Sequence, residues 1–116
     1  MILPIVSSDQ PITLVGGAEP ASGALSIALK WGEIVACADG GADTALWAGL
    51  DPVAIIGDMD SISPVARATY ADVVHEITEQ ESTDFDKALR HVMTPLVLAV
   101  GFSGARIDHE LSLIHI

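Results

Sequence analysis

The segment Gly57-Asp58-Met59-Asp60-Ser61 places two carboxylates two residues apart, directly after the short apolar run of residues 53–56. In an extended segment, side chains at positions i and i+2 point to the same side, so Asp58 and Asp60 are expected to converge. Two carboxylates that close repel each other unless one is protonated or a cation lies between them. Hard divalent ions such as Mg²⁺ take oxygen ligands, often one or two carboxylates together with substrate phosphates. The spacing fits a magnesium site, and it equally fits an ordinary solvated acidic turn.

A third carboxylate follows another apolar run, where residues 34–38 lead into Asp39-Gly40-Gly41. Backbone N–H groups at such a junction between a strand and a helix favour anions. The segment matches neither the Walker lysine pattern nor a GxGxxG loop. An Asp-Gly turn without any ligand is the alternative interpretation.

A predicted helix that begins near Thr83 brings an acid and a base together. Thr83 and Asp86 form a variant of the capping box, which is ordinary helix chemistry. Lys87 fits that interpretation less well, because a lysine near a helix N-terminus opposes the helix dipole. Asp84 and Lys87 lie three residues apart on one helix face, so they are interpreted either as cap chemistry or as groups for a metal and a phosphate.

The loop of residues 101–109 contains Arg106, Asp108 and His109. If residues 105–108 are extended, Arg106 and Asp108 project to the same side. They would then form a structural ion pair, or Arg106 would bind a phosphate through two hydrogen bonds. His109 by itself fits a cap or a surface position better than a catalytic one.

Short apolar runs alternate with helical patterns along the whole chain. The pattern predicts a single α/β domain, a Rossmann-like three-layer fold with a doubly wound, mostly parallel sheet and helices on both faces. Ligands of such sheets bind beyond the carboxyl ends of the strands, and glycines follow four of the five predicted strands. The predicted strands are residues 12–15, 34–38, 53–56, 73–77 and 96–100, and the predicted helices are residues 20–29, 43–48, 64–71, 83–93 and a last one from 109 onward.

Composition limits the classes of function. The chain has 116 residues, 50% of them hydrophobic, which suits one domain with a real core. A net charge of -11 argues against non-specific binding to nucleic acid or to anionic membranes, which needs a positive surface. Cys37 is the single cysteine, expected to be a buried, inert thiol. The N-terminus lacks signal-peptide features and no apolar run approaches the ~20 residues of a membrane span, so a cytoplasmic location is expected.

Four motifs in this order resemble the catalytic domain of the thiamine pyrophosphokinase family. The resemblance runs from about the first predicted strand to His109. It implies an α/β domain that binds ATP and Mg²⁺ and transfers the terminal diphosphate of ATP to the hydroxyl of thiamine, leaving AMP. The family's C-terminal β-sandwich is absent from residues 1–116, so the chain is expected to be one catalytic domain, truncated at its C-terminal end. The motifs are Asp39-Gly40-Gly41-Ala42, Gly57-Asp58-Met59-Asp60-Ser61, Ser82-Thr83-Asp84-Phe85-Asp86-Lys87 and residues 101–109.

The resemblance also implies roles for residues and partners. Asp58, Asp60 and Asp84 would be the metal-binding carboxylates. Asp39 would line the active site beside them with the backbone of Gly40 and Gly41, and Asp39 or Asp60 would take the proton of the thiamine hydroxyl. Ala105 stands where the family has the second glycine of Gly-Gly-Arg. The full-length enzyme would be a homodimer with thiamine between subunits. The residues that would face the nucleotide or the transferred group are Thr83, Lys87, Arg106, Asp108 and His109.

Two other functions fit parts of the sequence. Asp58-Met59-Asp60-Ser61 resembles the start of a haloacid-dehalogenase-type phosphatase, in which the first aspartate is a nucleophile, usually after the first strand. Here it follows the third predicted strand, which counts against that interpretation. A non-catalytic nucleotide-binding fragment is the second alternative.

Overall fold

The computed structural model describes residues 4–19, 23–78 and 83–102 and the backbone of one further strand at 111–115. The strands are Val6–Ser7 (β1), Ile12–Val15 (β2), Ile34–Ala38 (β3), Ala54–Gly57 (β4), Val74–Glu76 (β5), Val92–Met93 (β6), Leu96–Val100 (β7) and Leu111–His115 (β8). The helices are Ala24–Trp31 (α1), Gly41–Ala48 (α2), Pro64–Thr69 (α3) and Asp84–Arg90 (α4), with a 3-10 turn at Ala71–Val73.

The main sheet has the strand order β5-β4-β3-β2-β7-β8. Its pairings are parallel except for the last, in which β8 runs antiparallel to β7. An antiparallel edge strand on an otherwise parallel sheet is common in doubly wound folds. A separate parallel pair joins β1 to β6. The predicted doubly wound, mostly parallel α/β fold is confirmed.

The core lies on both faces of this sheet because successive strand residues point to opposite sides. Ile12, Leu14 and Ile56 belong to an apolar cluster that includes Ala88 of α4. Val15 and Cys37 point the other way, into a cluster with residues of α2 and α3. Helix α1 covers the β7 side of that second face. Cys37 is fully buried, as predicted, and burial raises the pKa of its thiol to about 12.

The predicted helix from residue 109 onward is wrong. The chain forms strand β8 instead, in which Leu111 is opposite Val100 and His115 is opposite Leu96. The strand completes backbone hydrogen bonds along the free edge of β7, a gain that a short isolated helix could not match.

Helix bounds also differ from the prediction. Helix α4 ends at Arg90 rather than residue 93, because Val92 and Met93 pair with Val6 and Ser7 in the small sheet. Helix α1 begins at Ala24, and the predicted start at residues 20–22 lies outside the described residues. Within the part of the chain that is described, no helix combines the length and apolar character needed to cross a membrane.

Candidate active site

Three carboxylates meet at the carboxyl edge of the sheet. Asp39 follows β3, Asp58 follows β4, and Asp84 is the first residue of α4. One carboxylate oxygen from each of the three lies within 4.8 Å of the other two. The segments are far apart in sequence, so the topology of the parallel sheet brings these side chains together.

Asp39 is the buried member of this group, with 1% of its surface exposed. Its Oδ2 accepts a hydrogen bond from the backbone N–H of Asp60, and its Oδ1 accepts one from that of Ser61, each at 3.2 Å. The pKa of Asp39 is raised to about 6, mainly by burial and next by a hydrogen bond with the Asp58 carboxylate. Burial therefore favours a proton on this carboxyl when no cation is near.

Asp58 is the other half of this pair, and its pKa is lowered. The largest cause is its hydrogen bond with the Asp39 carboxyl group, followed by the hydrogen bond from the Asp60 backbone N–H. The charge of Lys87 lowers it as well. Opposite shifts in two interacting carboxyl groups mean that the pair takes up one proton near pH 6 and a second only in more acidic solution. A divalent cation can take the place of the first proton.

Lys87 places a buried positive charge beside the carboxylates. Its side chain is only 3% exposed, and its Nζ lies 3.4 Å from Oδ2 of Asp58. Asp39 and Lys87 are the charged residues that are buried in the described part of the chain, and both lie here. Because α4 has only seven residues, Lys87 lies in its last turn, where the helix dipole favours a cation, and the expected conflict with the dipole does not arise.

Asp84 and Thr83 form the start of α4. The Thr83 Oγ1 accepts a hydrogen bond from the backbone N–H of Asp86 at 3.1 Å, which confirms the predicted cap. Burial and the charge of Asp58 raise the pKa of Asp84, whereas the charge of Lys87 lowers it. Because the cap occupies only one lone pair of the Thr83 hydroxyl, its proton is left to donate to a ligand.

Asp60 does not lie where an extended segment would place it. Met59 adopts a left-handed backbone conformation with φ 65°, so the chain turns between the two aspartates and the i, i+2 rule does not apply. The Asp60 side chain is exposed, and its backbone N–H donates to both Asp39 and Asp58. Its charge still raises the pKa of Asp84. The role of Asp60 as a metal ligand stays a prediction.

Gly40 and Gly41 let α2 begin directly against two other segments. A Cβ on Gly40 would lie 3.1 Å from the Cβ of Ser61. A Cβ on Gly41 would collide with the backbone carbonyl of Val15 at the end of β2. These glycines are therefore explained by close backbone approach at the sheet edge.

An open cleft of about 560 Å³ runs beside the carboxylates. Phe85 and Phe102 form one wall in an edge-to-face contact, with ring centroids 4.9 Å apart. Sequence reasoning did not select these aromatic rings, nor Asp43 and Ser61, although all four stand inside or next to the selected motifs. The cleft is lined by Gly17, Ala18, Gly40, Asp43, Thr44, Ser61, Thr83, Asp84, Phe85, Gly101 and Phe102.

The remaining predicted site residues, Arg106, Asp108 and His109, lie outside the described residues. Their roles stay predictions. Gly101, which opens that loop, adopts φ 82°, and a Cβ there would come within 2.8 Å of the carbonyl oxygens of Gly16 and Ala18. The loop thus leaves β7 close to the chain that follows β2.

Residues 25–116 match the family model described as "Thiamin pyrophosphokinase, catalytic domain". Thiamine pyrophosphokinase 3 of Oryza sativa subsp. japonica is 29% identical over 112 residues, covering 72% of this chain and 42% of that protein. Thiamine pyrophosphokinase 1 of the same organism is 32% identical over 78 residues, covering 56% of this chain and 30% of that protein. The chain thus spans less than half the length of these curated relatives.

Solved structures of thiamin pyrophosphokinases have a fold similar to that of this chain. Thiamin pyrophosphokinase from Candida albicans matches with a TM-score of 0.58 and 26% identity, over 77% of this chain and 35% of that one. A thiamin pyrophosphokinase family protein from Enterococcus faecalis matches with a TM-score of 0.57 over 86% of this chain and 50% of that one. At 21% identity, the second likeness concerns the fold alone.

Proposed function

The chain belongs to the thiamin pyrophosphokinase family, and on that premise we propose that it is the ATP- and Mg²⁺-binding catalytic domain of a thiamine diphosphokinase. The reaction would transfer the terminal diphosphate of ATP to the hydroxyl of thiamine and release AMP. The observation that carries this proposal is the convergence of Asp39, Asp58 and Asp84 around a buried lysine, at the sheet edge where doubly wound folds bind ligands.

The donor set fits Mg²⁺ by its chemistry. The ligands that Asp39, Asp58 and Asp84 offer are carboxylate oxygens, which hard divalent cations prefer. In addition, burial and the neighbouring Asp58 raise the pKa of Asp39, and a bound cation would offset both effects by favouring the ionised carboxylate. These three residues would hold the ion, with Asp60 as the further predicted ligand. When bound, Mg²⁺ would neutralise phosphate charge and polarise the phosphorus that thiamine attacks.

The other residues of the site would position the nucleotide. Diphosphoryl transfer asks a protein mainly to orient the reactants and to balance charge. Lys87 would supply positive charge beside Asp58 for the transferred group, and the Thr83 hydroxyl would donate a hydrogen bond at the edge of the cleft. The backbone at Gly40 and Gly41 would let phosphates approach the start of α2 closely.

The remaining roles, the substrates and the assembly are proposed from membership of the family. Arg106, Asp108 and His109 would face the nucleotide, and Asp39 or Asp60 would accept the proton of the thiamine hydroxyl. Thiamine and ATP would be the substrates, with a cytoplasmic location and, for a full-length protein, a homodimer. Sedimentation velocity tests the assembly.

The test of the function measures AMP and thiamine diphosphate by chromatography after incubation with ATP, thiamine and Mg²⁺. We expect equal amounts of both products, and neither in EDTA. Asp58→Asn and Asp84→Asn should each lower the rate at least about 100-fold, because charge stabilisation by a metal is worth several kcal/mol. Asp51→Asn is the matched control, since Asp51 is an exposed aspartate outside the site.

Two further measurements separate this proposal from a phosphatase and from a non-catalytic nucleotide-binding module. A phosphorylated Asp58, trapped after acid quench and found by mass spectrometry, would contradict the proposal in favour of a phosphatase. Calorimetric binding of Mg-ATP without AMP formation would identify the chain as a nucleotide-binding module that does not turn over alone. Variants of Asp58 and Asp84 that keep full Mg²⁺-dependent turnover would refute the proposed metal site.

A further inference from the structure

Asp43 is an aspartate of the cleft to which the proposed function gives no role. It lies in the first turn of α2, four residues after Asp39, and its side chain is half-buried. Its Oδ2 accepts a hydrogen bond from the backbone N–H of Ser63 at 2.9 Å. This contact joins the start of α2 to the segment that carries Asp58.

Residues 58–63 are held against α2 at two points. Asp39 accepts the N–H groups of Asp60 and Ser61, and Asp43 accepts that of Ser63. Met59 is buried in the same apolar cluster as residues of α2, and the Cβ of Ser61 packs against the backbone of residue 40. Any shift of this segment along α2 therefore changes where the Asp58 carboxylate stands relative to Asp39.

Ser63 is also fixed from its far side. Its Oγ accepts a hydrogen bond from the backbone N–H of Ala66 and thereby caps α3, with Pro64 as the first helical residue. Asp43, through Ser63, is thus the connection between the start of α2, the carboxylate turn and the start of α3. Without it, Asp39 would be the remaining side chain among the described residues that accepts a hydrogen bond across this contact, beside the apolar packing of Met59.

We propose that Asp43 is a positioning residue that sets the place of the Asp58 carboxylate by holding the Ser63 amide. It acts through its hydrogen bond to the backbone of residues 58–63 and is not one of the proposed metal ligands. Only the identity of the bound ion rests on the proposed function; the effect on the turn does not. An asparagine can accept the same N–H through its amide oxygen, whereas an alanine cannot.

The experiment compares Asp43→Ala with Asp43→Asn by amide hydrogen exchange, measured by NMR in metal-free protein. In Asp43→Ala, the N–H groups of Asp60 and Ser61 should exchange about five- to tenfold faster, although their own acceptor, Asp39, is unchanged. Asp43→Asn should exchange as the wild type does. Asp51→Ala is the matched control, since it also removes one carboxylate, but from an exposed position three residues beyond the end of α2.

The second measurement is Mn²⁺ binding, followed by electron paramagnetic resonance. Asp43→Ala should weaken it about tenfold, as loss of a supporting contact around a metal site typically does, and Asp43→Asn should stay within about twofold of wild type. In the exchange experiment, faster amide exchange of Ser63 alone, without faster exchange of Asp60 and Ser61, would overturn the proposal. Equal weakening of Mn²⁺ binding by both substitutions would overturn it as well, because the charge would then matter rather than the hydrogen bond.

Two further outcomes are decided by the same data. A wild type that binds no Mn²⁺ contradicts the proposed function, while the exchange rates of Asp60 and Ser61 still decide the role of Asp43. If circular dichroism shows that Asp43→Ala does not fold, Asp43→Ser replaces it, since a serine at this position is too short to hold the Ser63 amide. Normal exchange at Asp60 and Ser61 in that variant would overturn the proposal.

Discussion

Replacing Lys87 with methionine tests whether the buried cation balances the charge of the three carboxylates. Methionine keeps an unbranched apolar side chain of similar length and removes the ammonium group. The lysine is 3% exposed and its Nζ lies 3.4 Å from Asp58, so the substitution removes an ion pair that water cannot replace fully. The remaining carboxylates would then face each other without a cation.

The loss of stability expected for Lys87→Met follows from two opposing free energies, the attraction within the ion pair and the cost of burying the charge. At an effective dielectric constant of about 20, charges 3.4 Å apart attract by roughly 5 kcal/mol. Burying the ammonium costs several kcal/mol, so the net contribution of the pair is about 1–2 kcal/mol. For a domain of 116 residues, Lys87→Met should therefore lower the midpoint of thermal unfolding by about 4–8 °C in EDTA.

The assay is thermal unfolding by circular dichroism, with and without Mg²⁺. Saturating Mg²⁺ should narrow the gap between Lys87→Met and wild type, because the ion supplies the positive charge that the lysine supplied. Lys30→Met is the matched control, since Lys30 is exposed, and it should leave the midpoint within a few degrees of wild type. An unchanged midpoint for Lys87→Met in EDTA, or a gap that Mg²⁺ leaves untouched, would refute the reasoning.

Two more substitutions or probes test the fold around the site. Gly41→Ala should destabilise the protein by about 3 kcal/mol, because the new Cβ would collide with the Val15 carbonyl. Gly17→Ala is the control and should be tolerated, since its Cβ would meet only ordinary van der Waals contacts. Equal denaturant midpoints for the two variants would contradict this prediction. Cys37 should resist thiol reagents at pH 8 until the protein unfolds, because burial raises its pKa to about 12. The thiol of the unfolded chain ionises near pH 9, whereas that of the folded protein stays protonated up to about pH 12. The free energy of unfolding should therefore be unaffected by this group below pH 9 and should decrease between pH 9 and pH 12. Rapid labelling of the folded protein would show that the thiol is accessible.

Strands β2, β3, β4 and β7 were predictable from sequence because each is a short, continuous apolar run that ends near a glycine. Strands β2 and β7, for example, match the predicted residues 12–15 and 96–100. The start of α3 was equally readable, since Ser63 and Pro64 form the cap that the structure contains. Local sequence chemistry suffices where the signal and the structure lie in the same few residues.

The failures come from contacts between distant segments. Strand β8 forms because the edge of β7 is available, and helix α4 stops early because Val92 and Met93 pair with β1. At the site, the left-handed backbone of Met59 turns Asp60 outward, and Asp39, which arrives from another strand, completes the carboxylate group. Periodicity along one segment does not contain that information.

The central claim is that Asp39, Asp58 and Asp84 together hold the divalent ion that binds ATP. The most direct measurement is an anomalous difference map from crystals grown with Mn²⁺ and an ATP analogue whose α–β bridge cannot be cleaved. We predict an anomalous peak within about 2.3 Å of carboxylate oxygens from at least two of these three residues, with the phosphates of the analogue beside it. A peak elsewhere, or bound nucleotide with no metal among these carboxylates, would contradict the claim.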